Sequence, residues 1–217
     1  MSSHHRLNSK LLDPTYQRLK RIADILLVLS VTPLALPLLG VILLLVCLDS
    51  PGKSIFQQER VGKRGRIFKV WKVRTMVENA DQVLDEYLTG HPELCPEWER
   101  TRKLKHDPRV TRVGRILRHA SVDELPQIWN VLKGEMTFVG PRPILPEEII
   151  EYGSSYDLYV QVFPGLTGLW QVLGRNDLEF KQRVRLDEEY ILDWSIRMEI
   201  SILIRTVKVV FTGYGAY

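Results

Sequence analysis

Between Ile25 and Leu48 the chain runs for 24 residues, ILLVLSVTPLALPLLGVILLLVCL, without a charged side chain. As a helix this stretch would reach about 36 Å, enough to cross a hydrocarbon core of roughly 30 Å. A core helix of a soluble protein would show a polar face along that length, and this one shows none. The segment therefore belongs in a membrane. A removed leader fits poorly, because no small-residue cleavage site follows and Val46 before Cys47 makes a weak lipoprotein site.

Two features bear on how the segment sits. Pro33 and Pro37 fall near its middle, where each removes a backbone donor and crowds the preceding turn. Basic residues lie at both ends, Arg18, Lys20 and Arg21 before it and Lys53, Arg60, Lys63, Arg64 and Arg66 after it. Since Lys and Arg favour the cytoplasmic face, both ends ask for the same side. This favours a re-entrant helix that breaks at Thr32-Pro33 and returns, with Ser30 or Thr32 hydroxyls satisfying freed carbonyls. A straight span with one misplaced basic flank is the competing reading.

The remaining length, in a chain of 217 residues, suits one catalytic unit. Thirty Lys/Arg against 26 Asp/Glu leave a net charge of +4, interleaved with acids and without a recognition motif, which excludes a dedicated nucleic-acid binder. Cys47 and Cys95 are too few for a disulfide framework or a zinc site. The organisation expected is a disordered tail over 1–15, a membrane-embedded helix over 16–50 and a catalytic domain over 51–217. Within that domain, runs at 54–61 and 67–73 flank a Gly-Lys-Arg-Gly turn and read as a hairpin. Helices are expected at 80–88, 97–104, 121–132 and 146–152. Apolar stripes at 178–195 and 198–211 read as two further helices, the second either lying in the bilayer surface or packing in an ordinary core. The fold class is an irregular α/β domain with short strands and membrane-surface amphipathic helices beside a re-entrant membrane helix.

The chemistry-bearing stretch is 106–127, HDPRVTRVGRILRHASVDELPQ, where Asp123 and Glu124 sit among arginines. Ser121 with Glu124 three later is a capping-box pattern, and acids in a first helical turn favour the helix dipole, so a structural role explains them too. Capping and catalysis are compatible, because a helix N-terminus also receives phosphate. Displacement at the phosphorus of a nucleotide diphosphate needs a nucleophile, cations for the equatorial charge, and usually Mg²⁺. Asp123 can attack, Glu124 can hold the metal, and Lys72, Arg74, Arg118 and Arg142 can grip phosphates.

Six motifs together resemble the monotopic phosphoglycosyl transferases, the bacterial sugar transferase family, over about Tyr16 to Tyr217. They are Lys20-Arg21-Ile22-Ala23-Asp24, Gln58-Glu59-Arg60-Val61-Gly62, Lys72-Val73-Arg74-Thr75-Met76, Ser121 to Gln127, Asn130 to Met136, and Val139-Gly140-Pro141-Arg142-Pro143. The resemblance implies a re-entrant helix, an Asp123-Glu124 dyad, Mg²⁺ and a ping-pong reaction on the cytoplasmic face of the bacterial inner membrane. In that reaction Asp123 takes a sugar-1-phosphate from a UDP-sugar, UMP leaves, and undecaprenyl phosphate resolves the adduct. Arg118 and Arg142 match the family's phosphate arginines, and Gln127 and Pro141 fall in its substrate-binding motifs. Gly168-Leu169-Trp170-Gln171, Gly174-Arg175-Asn176 and the Gly215-Ala216-Tyr217 ending resemble longer members that transfer galactose- or glucose-1-phosphate, with a homodimer as an admissible assembly. Thr32-Pro33 stands where members often have Ser-Pro. The alternative class is a membrane-anchored scaffold that binds anionic lipid or a partner protein and turns nothing over.

Overall fold

The computed structural model describes residues 9–101, 104, 106–174 and 178–212, so the tail before Ser9 and the motifs at 175–176 and 215–217 lie outside the described residues. A 3-10 turn at Lys10–Leu12 leads into α1, Pro14–Asp49. Asp13 caps α1 by accepting from the Thr15 amide at 2.7 Å, and Pro14 takes the first helical position, where its missing N–H costs nothing. Ser9 and Leu11, placed in the tail on sequence, are buried instead: Leu11 enters the main core, and the Ser9 hydroxyl donates to the Ile191 carbonyl.

α1 stays helical through Pro33 and Pro37, so the interruption expected at Thr32-Pro33 is not seen as a loss of helix. Proline's φ is itself helical, and what it forfeits is one hydrogen bond. Thr32 Oγ1 donates to the Val28 carbonyl at 2.7 Å and Ser30 Oγ to the Leu27 carbonyl at 2.8 Å, just ahead of the carbonyl that Pro33 frees at Leu29. Much of the segment faces outward, with Leu26, Leu29, Leu34, Leu36, Val41, Leu44 and Leu48 exposed, and it is the one helix among the described residues long and apolar enough to cross a membrane.

Both ends of α1 attach to the same body. At the first end Lys20 pairs with Glu199, Arg21 donates to the Val131 and Leu132 carbonyls, and Asp24 accepts from Thr137 Oγ1 at 2.6 Å and the Phe138 amide at 3.1 Å. At the second, Ile42 and Val46 pack with Val73 and Leu117, and Asp49 accepts from the Val113 amide at 3.1 Å.

The hairpin forms as its sequence predicts. β1, Ile55–Val61, pairs antiparallel with β2, Ile67–Val73, from Ile55↔Val73 to Val61↔Ile67. Its turn needs a left-handed backbone at Arg64 (φ 60°) and Gly65 (φ 70°). Helices α2, Ala80–Gly90, α3, Cys95–Thr101, and α4, Arg112–His119, follow. The helix expected over 121–132 is two pieces, a 3-10 helix at Val122–Gln127 and α5, Ile128–Lys133, because Pro126 cannot donate inside a regular α-helix. Two three-residue strands, β3 at Thr137–Val139 and β4 at Gly165–Thr167, pair in parallel across α6, Ile149–Tyr152, and α7, Tyr156–Tyr159. The chain finishes with α8, Leu169–Leu173, α9, Phe180–Leu192, and α10, Ile196–Thr212. The core runs from Val28 of α1 through Val70, Val131, Met136 and Tyr190 to Ile202. α10 carries apolar residues on two sides: Ile202 is buried, while Ile196, Ile200, Ile204 and Val207 form an exposed stripe. Among the described residues the result is a mostly helical α/β chain with two small sheets and one long apolar helix.

Candidate active site

The 3-10 helix that carries the carboxylate pair is clamped between α4 and α5. Thr111 caps α4 by accepting from the Gly114 amide at 3.0 Å, and α4 lies so close to the strand exit that a Cβ on Gly114 would stand 2.2 Å from the Thr75 carbonyl oxygen. After His119 the chain turns at Ser121, which takes a left-handed φ of 55°, a conformation costing a non-glycine residue about 1 kcal/mol. Beyond the pair, fully buried Asn130 fixes α5 to β2: its Nδ2 donates to the Lys69 carbonyl and to Glu135 Oε2, both at 2.7 Å, and its Oδ1 accepts from the Trp71 amide at 3.2 Å.

These contacts bring Asp123 and Glu124 against β2. The Lys72 ammonium donates to Glu124 Oε1 at 2.7 Å, so the capping box expected between Ser121 and Glu124 does not form; the glutamate looks across to the strand rather than back along its own helix. Burial alone would push Glu124 up, but Lys72, with Arg142 and Arg60 behind it, holds its carboxyl below the usual range. Asp123 goes the other way. Burial, then repulsion from Glu124, push it up to about 6 against the pull of Lys72 and Arg118. The two adjacent carboxylates are thus split into an ionised member engaged with lysine and a more basic one without a hydrogen-bond donor among the described side chains, the difference that a general or nucleophilic base requires.

Arg118 projects from the last turn of α4 with its Nε donating to Thr75 Oγ1 at 2.8 Å, which leaves its two Nη groups for an anion. Arg142 comes from a different element, the loop after β3. There Gly140 donates to the Thr167 carbonyl at 2.9 Å, Gly165 donates to the Pro141 carbonyl at 2.7 Å, and Arg60, buried to 4 % exposure, donates to the Pro143 carbonyl at 3.2 Å. A Cβ on Gly165 would sit 2.1 Å from the Gly140 nitrogen, so only glycine permits this approach. The Arg142 guanidinium lies 5.8 Å from the centre of the Trp170 ring.

One cavity of about 1820 Å³ takes in Lys72, Arg74, Arg118, Asp123, Glu124 and Arg142. Gln127 and Pro141 do not line it: Gln127 is buried at the end of the 3-10 helix, and Pro141 serves the loop through its carbonyl. Arg74 lines the cavity but is committed elsewhere, donating to the Ser50 carbonyl at 2.7 Å, to Ser50 Oγ at 2.9 Å and to the Pro51 carbonyl. Its two Nη groups tie down the end of α1, while its Nε makes no hydrogen bond among the described residues. Sequence reasoning gave no role to Arg109, which lines the same cavity, grips Asp107 through two bonds of 2.8 and 2.7 Å, and lies 4.9 Å from the Trp98 ring. The Asp107-Pro108-Arg109 turn was its only local signal.

Among the described residues no group of three His, Cys, Asp or Glu could hold a metal unaided. Mg²⁺ does not ask for one, since it binds through one or two carboxylates together with substrate phosphates and water, and Asp123 and Glu124 offer hard oxygens of that kind.

The family model for bacterial sugar transferases matches residues 15–213. The undecaprenyl-phosphate galactose phosphotransferase of Salmonella typhimurium is 43% identical over 212 residues, 98% of this chain and 44% of that protein. The exopolysaccharide production protein ExoY of Rhizobium meliloti is 42% identical over 198 residues, 91% of this chain and 88% of that protein. The UDP-glucose:undecaprenyl-phosphate glucose-1-phosphate transferase of Caulobacter vibrioides is 40% identical over 210 residues, 91% of this chain and 72% of that protein. The chain thus spans less than half the length of relatives such as the Salmonella protein. By the extent of the family match, the chain belongs to the bacterial sugar transferase family.

Proposed function

We propose that the chain transfers a hexose-1-phosphate, from UDP-galactose or UDP-glucose, to undecaprenyl phosphate at the cytoplasmic face of the bacterial inner membrane, as an early step of surface polysaccharide synthesis. The names of its relatives supply the substrate class, galactose in one and glucose in another. The observation that carries the mechanism is Asp123: a carboxylate raised to about 6 by burial and by Glu124, in a cavity edged by Lys72, Arg118 and Arg142.

The Asp123 oxygen attacks the sugar-proximal phosphorus, the bond from that phosphorus to the bridging oxygen breaks, and UMP leaves with the electron pair. Arg118 and Arg142 hold phosphate oxygens and take up the charge that grows on them. Lys72 keeps Glu124 ionised and oriented. A Mg²⁺ ion held by Glu124, with Asp123 beside it, would supply Lewis-acid charge at the diphosphate. A phosphate oxygen of the polyprenyl phosphate then attacks the same phosphorus, the acyl–phosphate bond breaks, and Asp123 returns as a carboxylate beside undecaprenyl-diphospho-sugar. The re-entrant course of α1 belongs to this reading: both of its ends hold the one domain, so donor and acceptor meet on a single face.

The test is to treat the purified protein with UDP-galactose or UDP-glucose and Mg²⁺ without acceptor. One equivalent of UMP and a phosphohexose on the Asp123 peptide are expected, and Asp123→Asn should lower turnover on the order of a thousandfold. An active protein that never carries the adduct, or an Asn variant with normal turnover, would refute the mechanism; lipid binding without any UMP release would favour a scaffold.

A further inference from the structure

The cavity that holds the dyad has two unlike ends. Toward the hairpin its wall is mixed, with Gln57, Glu78 and Arg109 beside Ile55, Phe56 and Val77. Its other end is walled by Leu27 and Val31 of α1, Phe138 and Leu166 of the parallel strands, and Leu203 and Val207 of α10. Lys72, Asp123, Glu124 and Arg142 belong to the same cavity, so one space joins a mixed, charge-bearing lobe, a reactive carboxylate and a lobe lined by these apolar side chains.

We propose that the apolar lobe between α1 and α10 is where the acceptor's polyprenyl chain lies, with α10 as one wall and the phosphate head reaching Asp123 past Arg142. This rests on the function proposed above and assigns the acceptor a place within it. Depth argues for it first. Leu27 and Val31 sit inside the uncharged run from Ile25 to Leu48, so a molecule touching them is at the level of lipid tails, where a nucleotide diphosphate would forfeit its hydration. The surface beside the lobe argues for it again. The exposed stripe Ile196, Ile200, Ile204 and Val207 on α10 continues outward, as does the exposed face of α1, so a chain drawn from the bilayer reaches the lobe without crossing water. At the inner boundary the Thr167 and Thr206 hydroxyls bond to each other at 2.7 Å, which satisfies those two groups without a ligand.

Val207 is 58 % exposed, so Val207→Trp can be tolerated by the fold while its ring occupies the lobe. Ile204→Trp, on the outer stripe of the same helix and off the cavity wall, is the control. In Val207→Trp the acceptor-free burst of UMP should persist, and the KM for undecaprenyl phosphate should rise about tenfold, the size of an overpacking penalty. A water-soluble prenyl phosphate of two isoprene units should feel much less of this, and Ile204→Trp should change neither quantity. A diazirine-bearing polyprenyl phosphate, which requires no turnover, should label the 196–212 peptide of the unmodified protein, and undecaprenyl phosphate should compete. Loss of the burst together with turnover in Val207→Trp, an unchanged acceptor KM, or label confined to other peptides would each overturn the placement. The crosslink reads placement even if no UDP-sugar releases UMP, so failure of the reaction and failure of the lobe are told apart.

Discussion

Asp123 and Glu124 are neighbours in sequence and opposites in character, and the difference is set by what each faces. Glu124 meets the Lys72 ammonium at 2.7 Å; Asp123 has burial and a negative neighbour. Because attack needs the ionised carboxylate, the acceptor-free UMP burst should be level above pH 7 and fall as pH drops through about 6, which stopped-flow over pH 5–8 would show. A burst indifferent to pH in that range would mean that Asp123 titrates elsewhere. A second buried acid bears on stability. Asp187, 1 % exposed on α9, accepts from the Tyr152 hydroxyl at 2.7 Å, and burial pushes it up to about 8. Folded, it holds its proton between the unfolded value near 4 and about 8, so the fold loses stability as pH rises across that window. Asp187→Asn removes this titration and should raise the melting temperature more at pH 8 than at pH 5. Adjacent acids among arginines made Asp123 and Glu124 legible in the sequence, and motif spacing did the same for Lys72, Arg118 and Arg142. The bond from Arg74 to Ser50 was not legible, because its partner lies 24 positions away and no local pattern reports a bond of that kind.

The elements that hold the site are short, and their positions depend on close backbone approach more than on side-chain volume. Gly114 shows the consequence: with a Cβ 2.2 Å from the Thr75 carbonyl oxygen, Gly114→Ala must push α4 off the strand exit and carry Arg118 away from Thr75. We expect it to cost about 1–3 kcal/mol by chemical denaturation in detergent and to slow the UMP burst, whereas Gly90→Ala, with open space around it, should leave both near their original values. Arg74→Ala should act on the same scale. Losing its bonds to Ser50 and Pro51 loosens the end of α1, lowering the melting temperature while leaving the KM for UDP-sugar within about twofold. Strong periodicity made the hairpin and the helices at 80–90, 180–192 and 196–212 readable from sequence. The parallel pair β3–β4 was not, because three residues carry no period and the pairing is licensed by glycines whose partners are 25 positions distant, Gly140 and Gly165.

At the scale of the molecule, the question is on which side of the bilayer the two ends of α1 lie. Drawn straight, the path from Arg21 to Asp49 would cover about 42 Å and set its ends on opposite sides of a hydrocarbon core of roughly 30 Å. Yet Arg21 is bound to carbonyls of α5 and Asp49 to an amide of α4, and those helices are joined by one short connection that carries the dyad. A domain gripping both ends of a spanning helix would have to pass polar backbone through lipid at several kcal/mol for each unsatisfied group, which no other contact here offsets. On the reading proposed above both ends therefore lie on one face, and the basic residues around both are the reason to expect that face to be the cytoplasmic one. Single cysteines at exposed Thr15 and Lys53, in a Cys47→Ser, Cys95→Ser background, give the measurement. A membrane-impermeant maleimide should label both in inverted inner-membrane vesicles and neither in intact spheroplasts. If one position reacts only from the outside, α1 spans the bilayer, the two anchor points cannot both hold in the membrane, and a common entry face for donor and acceptor has to be abandoned.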